Sequence, residues 1–473
     1  MLKDLFKGSI IYGIAPFVPK ILSVLLLPIL TKYLTSTDYG IIGTITSIVF
    51  AIQALQDLGL NVLLPNYFYK CKYHYKIAWR EIYGFLSLWM ILFACVQAIL
   101  LYFFIPEEAD ANKWIIIGLS NFSTVFFGPT SLIGRMYYQL NLKPTPVAIR
   151  VVISGVITIL ANYVCVVVFR WGYLGAYVGS FAGSFIVNLS YWPVVNHRLG
   201  LSPIYKFKFK TIYGFLKVGI PTIPHYYASY LMNSSNIVAM NYYEKPQSEI
   251  GHLTMAQNMS HLLDTVSNAI NQVFGPMTFK CIREKDSKGI KRLLFTYILM
   301  IFSLTFLFSL WSREVYAILI SNEEIASKYK YAIILVMALN YRPLYVYCAD
   351  YFFFFEHTVQ LLGISFAAGI ICCVVYFVGI PFIGIYAALI GFYVGCTYYG
   401  YIGYSFSFYK KVSIYKIKWY LLLFFQIVLT LVAFFFVDYS IVVKMLISLG
   451  YLILAGAFFY QKVLQRRLYF QSK

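Results

Sequence analysis

The chain has 473 residues, of which 60% are hydrophobic and 12% charged, against about 45–50% and about 25% in an ordinary soluble domain. That composition excludes a soluble enzyme. The formal net charge of +20 would suggest nucleic acid in a soluble protein, but in a membrane protein it becomes a question of where the basic residues fall.

In chain order, apolar runs separated by polar or Gly/Pro breaks predict fourteen transmembrane helices. They cover 9–33, 38–65, 81–105, 113–137, 146–169, 174–196, 215–240, 250–278, 292–312, 329–355, 359–378, 382–406, 419–437 and 440–460. Each is long enough for a bilayer core that takes about 20 helical residues. Solid apolar runs, rather than alternating segments of about 10 residues, exclude a transmembrane β-barrel. The first run follows Lys3 and Lys7 as a signal peptide would, but it is too long, carries Lys20 in its middle and lacks a small-residue cleavage site. Every connection is short, so no outer loop, including those near 241–250 and 313–328, has room for a catalytic domain. The ending 468–472 (Leu-Tyr-Phe-Gln-Ser) has the look of a protease-tag remnant and carries no functional weight.

With the N-terminus placed inside, 27 Lys/Arg fall in inner connections and helix ends, 8 fall outside, and Lys20, Arg150 and Arg342 lie within spans. An excess of Lys and Arg marks the cytoplasmic side, so both termini are expected there. The basic surplus then faces anionic lipid and needs no nucleic acid. The eight cysteines fall at cytoplasmic positions (Cys71, Cys281) or inside spans, which indicates neither a disulfide framework nor a metal site.

The two halves repeat. Asp57 matches Asp264, Pro65 matches Pro276, and Lys70-Cys71 matches Lys280-Cys281, at offsets of 207–211. Six spans separate the copies, and an even number keeps both halves in one orientation, as parallel repeats about an axis along the membrane normal. The expected fold is therefore all-α and integral to the membrane, with two parallel six-helix repeats around a central cavity and two extra C-terminal helices. Expected boundaries are 1–210 for the first lobe, 211–410 for the second, and 411–473 for the extra helices and tail.

A charge at the bilayer centre costs from about 3 kcal/mol upward, so each is a functional candidate. Lys20 stands deep in a first span that holds Pro16, Pro19 and Pro28, a helix suited to bending beside a hydrated cavity. The competing reading is that it snorkels to the surface. Arg342, beside Pro343, is either a substrate cation or the partner of Asp350, Asp264 or Asp57. Arg150 lies one turn into its span, where snorkelling competes with a cavity role, and Arg135 reads as a topology determinant. Asp57 and Asp264, and with them Asp350, are candidates for coupling to a proton or sodium gradient, because a buried carboxylate must pair or take a proton. The competing reading for these acids is a structural ion pair. His225 and His261 read as packing residues. No catalytic or metal-ligating set and no cofactor is expected. The 44 Tyr and 41 Phe read mainly as interfacial belts, with sugar stacking at Tyr226-Tyr227 or Tyr242-Tyr243 as the alternative.

The opening, with Lys3 and Lys7, the stretch 28–34 (Pro-Ile-Leu-Thr-Lys-Tyr-Leu), Asp38-Tyr39-Gly40 and Asp57-Leu58-Gly59, resembles the Wzx-like polysaccharide transporters. These O-antigen and repeat-unit flippases belong to the multidrug/oligosaccharidyl-lipid/polysaccharide (MOP) exporter superfamily. The resemblance implies two six-helix lobes with a cationic cavity. It also implies movement of an undecaprenyl-diphosphate-linked oligosaccharide from the cytoplasmic to the outer leaflet of a bacterial inner membrane. Implied partners are membrane lipids, a polysaccharide polymerase and a chain-length regulator. On this reading Lys20, Arg342 and Arg150 are cations for the diphosphate. The alternative within the superfamily is a multidrug or other small-molecule exporter; a membrane enzyme would need the outer loop that is missing.

Overall fold

The computed structural model describes residues 17–70 and 74–461. The start of the first predicted span, Cys71 and the 468–472 ending lie outside those residues. The described chain is helical throughout, with no strand, and each of the fourteen predicted spans corresponds to a helix or a run of helical pieces. In a bilayer the backbone must satisfy itself within each segment, and helices are how an apolar chain does so.

Local chemistry sets the ends. Thr35 caps the second span with a capping box: its hydroxyl accepts from the Asp38 N–H, and the Asp38 carboxylate accepts from the Thr35 N–H. Pro144 starts the fifth span, where a missing N–H costs nothing. Asp286 starts the ninth by accepting from the Lys288 and Gly289 amides.

Ten of the described helices are long and apolar enough to cross a membrane. They are spans three to six and nine to fourteen, from Tyr75–Phe104 to Ile441–Phe459. Spans one, two, seven and eight differ from them. The first is described over Phe17–Tyr33 and contains Pro28. The second is not one helix as predicted: Ser36–Gln53 ends, a turn follows, and the chain resumes as Leu63–Lys70. The seventh, also predicted as one helix, is broken into Phe209–Gly219, Ile223–Asn233 and Ser235–Tyr242 by Pro221 and by the Asn-Ser-Ser stretch 233–235. The eighth is a single 38-residue helix, Gln247–Glu284, with little apolar excess. Spans one and two and their partners seven and eight across the repeat therefore carry the breaks and the polarity.

The chain forms two compact units, residues 1–230 with 246–251, and residues 231–245 with 252–473. The first is held by Trp79, Ile82, Leu86, Ile133, Val195 and Phe215, and by a second cluster around Ile45, Leu101 and Ile116. The second is held by Phe302, Phe306, Leu344, Tyr351, Leu429 and Tyr451, drawn from spans nine, ten, thirteen and fourteen. Large apolar side chains such as Leu446 and Leu454 on Ile441–Phe459 stay exposed, as lipid-facing positions do.

The two extra helices, Trp419–Phe436 and Ile441–Phe459, belong to the second unit. Phe302 stacks on Phe425 at 6.2 Å and Phe306 meets Tyr451 at 4.7 Å. Lys444, fully buried, donates to Glu314 Oε1 at 2.5 Å and to the Val437 carbonyl at 2.9 Å. Its ammonium also lies 5.5 Å from the centre of the Trp311 ring, whose indole N–H donates to Ser448.

Candidate functional site

The break in the second span makes the site of the first unit. Helix Ser36–Gln53 stops, and Asp57 enters a turn in which its carboxylate accepts from the Gly59 amide at 3.1 Å. Gly59 has φ +71°, and a Cβ there would meet the Gly219 carbonyl at 2.2 Å, so only glycine lets the chain turn this tightly against the seventh span. A cavity of about 470 Å3 opens beside the turn. The second span gives it Gln56, Asp57 and Asn61, the fourth Ser131 and Arg135, the sixth Asn188, and the seventh Tyr226 and Tyr230. Asn61 donates to the Tyr226 hydroxyl at 3.1 Å, and its own amide oxygen, shielded from solvent, has no partner among the described residues.

Asp57 thus stands where a polar ligand could reach it, and sequence reasoning placed it among the site residues. Arg135, read from sequence as a topology determinant, lines the same cavity. Its signal was available: Arg135 and Arg342 are 207 residues apart, the same offset as Asp57 and Asp264.

In the second unit the matching residues meet. Arg342 opens the helix Arg342–Phe354 behind Pro343's fixed turn, and its guanidinium donates to Asp264 Oδ1 in an ion pair. Asn268 holds the other carboxylate oxygen at 3.1 Å, and the guanidinium lies 5.5 Å from the Tyr341 ring centre. Among the acids named with Arg342 in sequence, Asp264 is the one it pairs with here. Asp350, about two turns further along the same helix, is buried, with Oδ2 unpartnered among the described residues.

Lys20 is exposed on Phe17–Tyr33. That helix approaches the fifth span closely, since a Cβ on Gly155 would lie 2.5 Å from Pro19. Arg150 is engaged: it donates to Ser190 Oγ at 2.9 Å and to the Pro146 carbonyl at 2.8 Å, and it lies 4.5 Å from the Tyr191 ring centre. No group of three or more metal-ligating side chains occurs among the described residues.

Ten helices long and apolar enough to cross a membrane, beside broken ones that line a cavity bearing an acid, a base and amides, define a multi-pass membrane protein with a polar cavity in its first unit. The chain belongs to the family described as Polysaccharide biosynthesis protein, which it matches over residues 5–282. No curated protein matches it in sequence. Its fold is shared with solved flippase and MATE transporter structures. A structure titled "Lipid II flippase MurJ, inward closed conformation" superposes with a TM-score of 0.69 at 15% identity, covering 96% of this chain and 99% of that one. A multidrug resistance MATE family transporter in an inward-facing conformation gives 0.57 at 12%, covering 84% and 92%. The eukaryotic MATE transporter AtDTX14 gives 0.54 at 14%, covering 85% and 92%.

Proposed function

We propose that this protein is a flippase that carries an undecaprenyl-diphosphate-linked oligosaccharide from the cytoplasmic to the outer leaflet of a bacterial inner membrane by alternating access, with both termini cytoplasmic. The observation that carries this reading is the cavity of about 470 Å3 in the first unit, with its acid, base, amides and hydroxyls. Groups of this kind are expensive inside a membrane, and a hydrophilic cargo gives them a use. Membership of a polysaccharide biosynthesis family supports a glycan as that cargo. So does the extent of the likeness to a protein named as a lipid II flippase. The MATE structures leave a shortfall of chain comparable in size to 411–473, and a polyprenyl tail has more use for two added helices than a small drug has.

In this reading the protein makes and breaks no covalent bond and needs no cofactor. Its product is delivered where a polymerase and chain-length regulator could take it up. Lys20 supplies a cation for the diphosphate, since charge-assisted hydrogen bonds offset its dehydration. Arg342 supplies a second only when its bond to Asp264 opens, which frees that carboxylate to take a proton or sodium ion; Asp350, whose Oδ2 has no partner among the described residues, is a further acceptor. Arg150, with its donors committed to Ser190 and Pro146, joins the fifth and sixth spans.

The test is movement of a fluorescent undecaprenyl-diphosphate oligosaccharide across vesicles containing the purified protein. Lys20→Ala should lose most of the movement, Lys20→Arg should keep much of it, and Lys20→Glu should be inactive, each at equal incorporation. Vesicles no faster than protein-free ones, yet able to move a quaternary ammonium dye, would replace the flippase by an exporter. Lys20→Ala moving lipid at the normal rate would remove Lys20 from the head-group site.

A further inference from the structure

The two repeats carry the same acid and the same base at one offset: Asp57 and Arg135 become Asp264 and Arg342 on adding 207. In the second unit the pair is closed by an ion pair. In the first unit no ion pair joins Asp57 to Arg135 among the described residues, and both stand on the wall of the cavity. We propose that the first-unit cavity is a saccharide subsite, in which sugar hydroxyls take the place of the ion pair that the second unit keeps.

This inference rests on the flippase reading and adds to it where the glycan is held. The chemistry selects the class of ligand. A carboxylate only accepts hydrogen bonds and a guanidinium only donates them, so one ligand must offer donors and acceptors close together. A bare phosphate or diphosphate would meet Asp57 and be repelled; a cationic drug would meet Arg135 and be repelled. A sugar ring satisfies both, with one hydroxyl donating to Asp57 and a hydroxyl, ring or acetamido oxygen accepting from Arg135. The remaining wall fits the same class. Asn61, Gln56 and Asn188 add amides to the wall, and Tyr226 and Tyr230 offer ring faces. The volume, about 470 Å3, lies within the range of roughly 300–1,000 Å3 in which small-molecule sites fall. It suits a short stretch of sugar rather than a whole lipid-linked glycan.

The experiment uses the full chain in nanodiscs with Ser131→Cys, a wall position, and follows maleimide labelling above that of the parent protein. The probes are free N-acetylglucosamine and galactose, inorganic pyrophosphate, and tetraethylammonium, all at high concentration. At least one sugar should slow labelling about tenfold once its concentration is about ten times its dissociation constant, because the labelled fraction follows site occupancy, and pyrophosphate and tetraethylammonium should not. Asp57→Asn and Arg135→Gln should each abolish the protection while the protein keeps its elution volume and helicity. The exchange Asp57→Arg with Arg135→Asp, which retains both groups, should restore part of it.

Protection by pyrophosphate or by tetraethylammonium overturns the proposal. So does the absence of protection by either sugar, or sugar protection that survives both single substitutions. If the sugars fail to protect while vesicles still move the lipid-linked oligosaccharide, the subsite is wrong and the flippase stands. If the sugars protect while no lipid moves, the cavity binds saccharide and the flippase reading falls.

Discussion

The two units solve the same problem in opposite ways. Both inherit an acid from the second span of their repeat and an arginine from the fourth, yet the second unit binds them to each other and the first leaves both facing a cavity. The contrast extends beyond that pair. In the second unit Lys444 meets Glu314 and Lys330 meets Asp438, each more than 100 residues away in sequence, whereas Lys113 and Asp110 in the first unit pair one turn apart. A charge closed by a partner contributes to holding the fold, and a charge left on a cavity wall is available to a ligand. The same residues at the same repeat positions can therefore have different roles, and substitution should separate them.

The largest effect is expected at the closed pair. Arg342 and Asp264 are 19% and 23% exposed, buried enough that removing one partner strands the other. Arg342→Gln or Asp264→Asn should destabilise the second unit by about 3–5 kcal/mol, as breaking buried pairs does. The double substitution should cost less than either alone, because no stranded charge remains. Arg135→Gln, at an exposed charge, should cost less than about 1 kcal/mol, and Asp57→Asn, at a half-buried carboxylate with no ion-pair partner to strand, should cost less than either substitution in the closed pair. Thermal unfolding in detergent checks both sets. Equal costs in the two units would erase the contrast.

Much of this was legible from sequence. Fourteen helical segments follow from apolar runs, because the bilayer allows an apolar chain few alternatives. Asp57 and Asp264 stood out because a carboxylate within an apolar run has no cheap explanation. A hydropathy window averages over a break as short as that at Asp57-Leu58-Gly59 or at the polar 233–235, because apolar residues flank it on both sides. Arg135 was missed because it sits near the end of its span, where positive charges usually mark the cytoplasmic side. The offset it shares with Arg342 carried the information instead. Whether a repeated pair closes or opens depends on the packing around it, and that no spacing reveals.

A smaller effect is expected where the extra helices join the second unit. Lys444 is fully buried and its ammonium satisfies both Glu314 and a backbone carbonyl. Lys444→Ala removes the charge and its packing beneath Trp311, leaving Glu314, itself 29% exposed, without a partner. The expected cost is about 2–3 kcal/mol, read as earlier proteolysis within the connection 406–418 together with a lower melting temperature. Lys444→Met, which keeps the volume, should recover part of that loss. If Lys444→Ala left both readouts unchanged, the extra helices would be held by their apolar faces alone.

The smallest effect is expected at Asp438, in the short turn between the last two helices. Its carboxyl is held below the ordinary carboxylate value, chiefly by the hydrogen bond from Lys330 and then by that from Tyr329; the Lys330 contact is 2.5 Å. A group whose folded pKa is depressed contributes stability above its unfolded value, about 4 for an aspartate. That contribution is lost as pH falls through the lower folded value. The site is partly exposed, 36% and 42% for the two side chains, so screening keeps the effect small. Melting temperatures of the parent and of Asp438→Asn should therefore differ slightly and constantly at neutral and mildly acidic pH, and converge below about pH 4. Salt should narrow the gap, because a surface pair is screened. A gap that persists at the lowest pH would mean that Asp438 acts through its Tyr329 hydrogen bond rather than its charge. The contrast between the units would then rest on the buried pairs, Arg342 with Asp264 and Lys444 with Glu314.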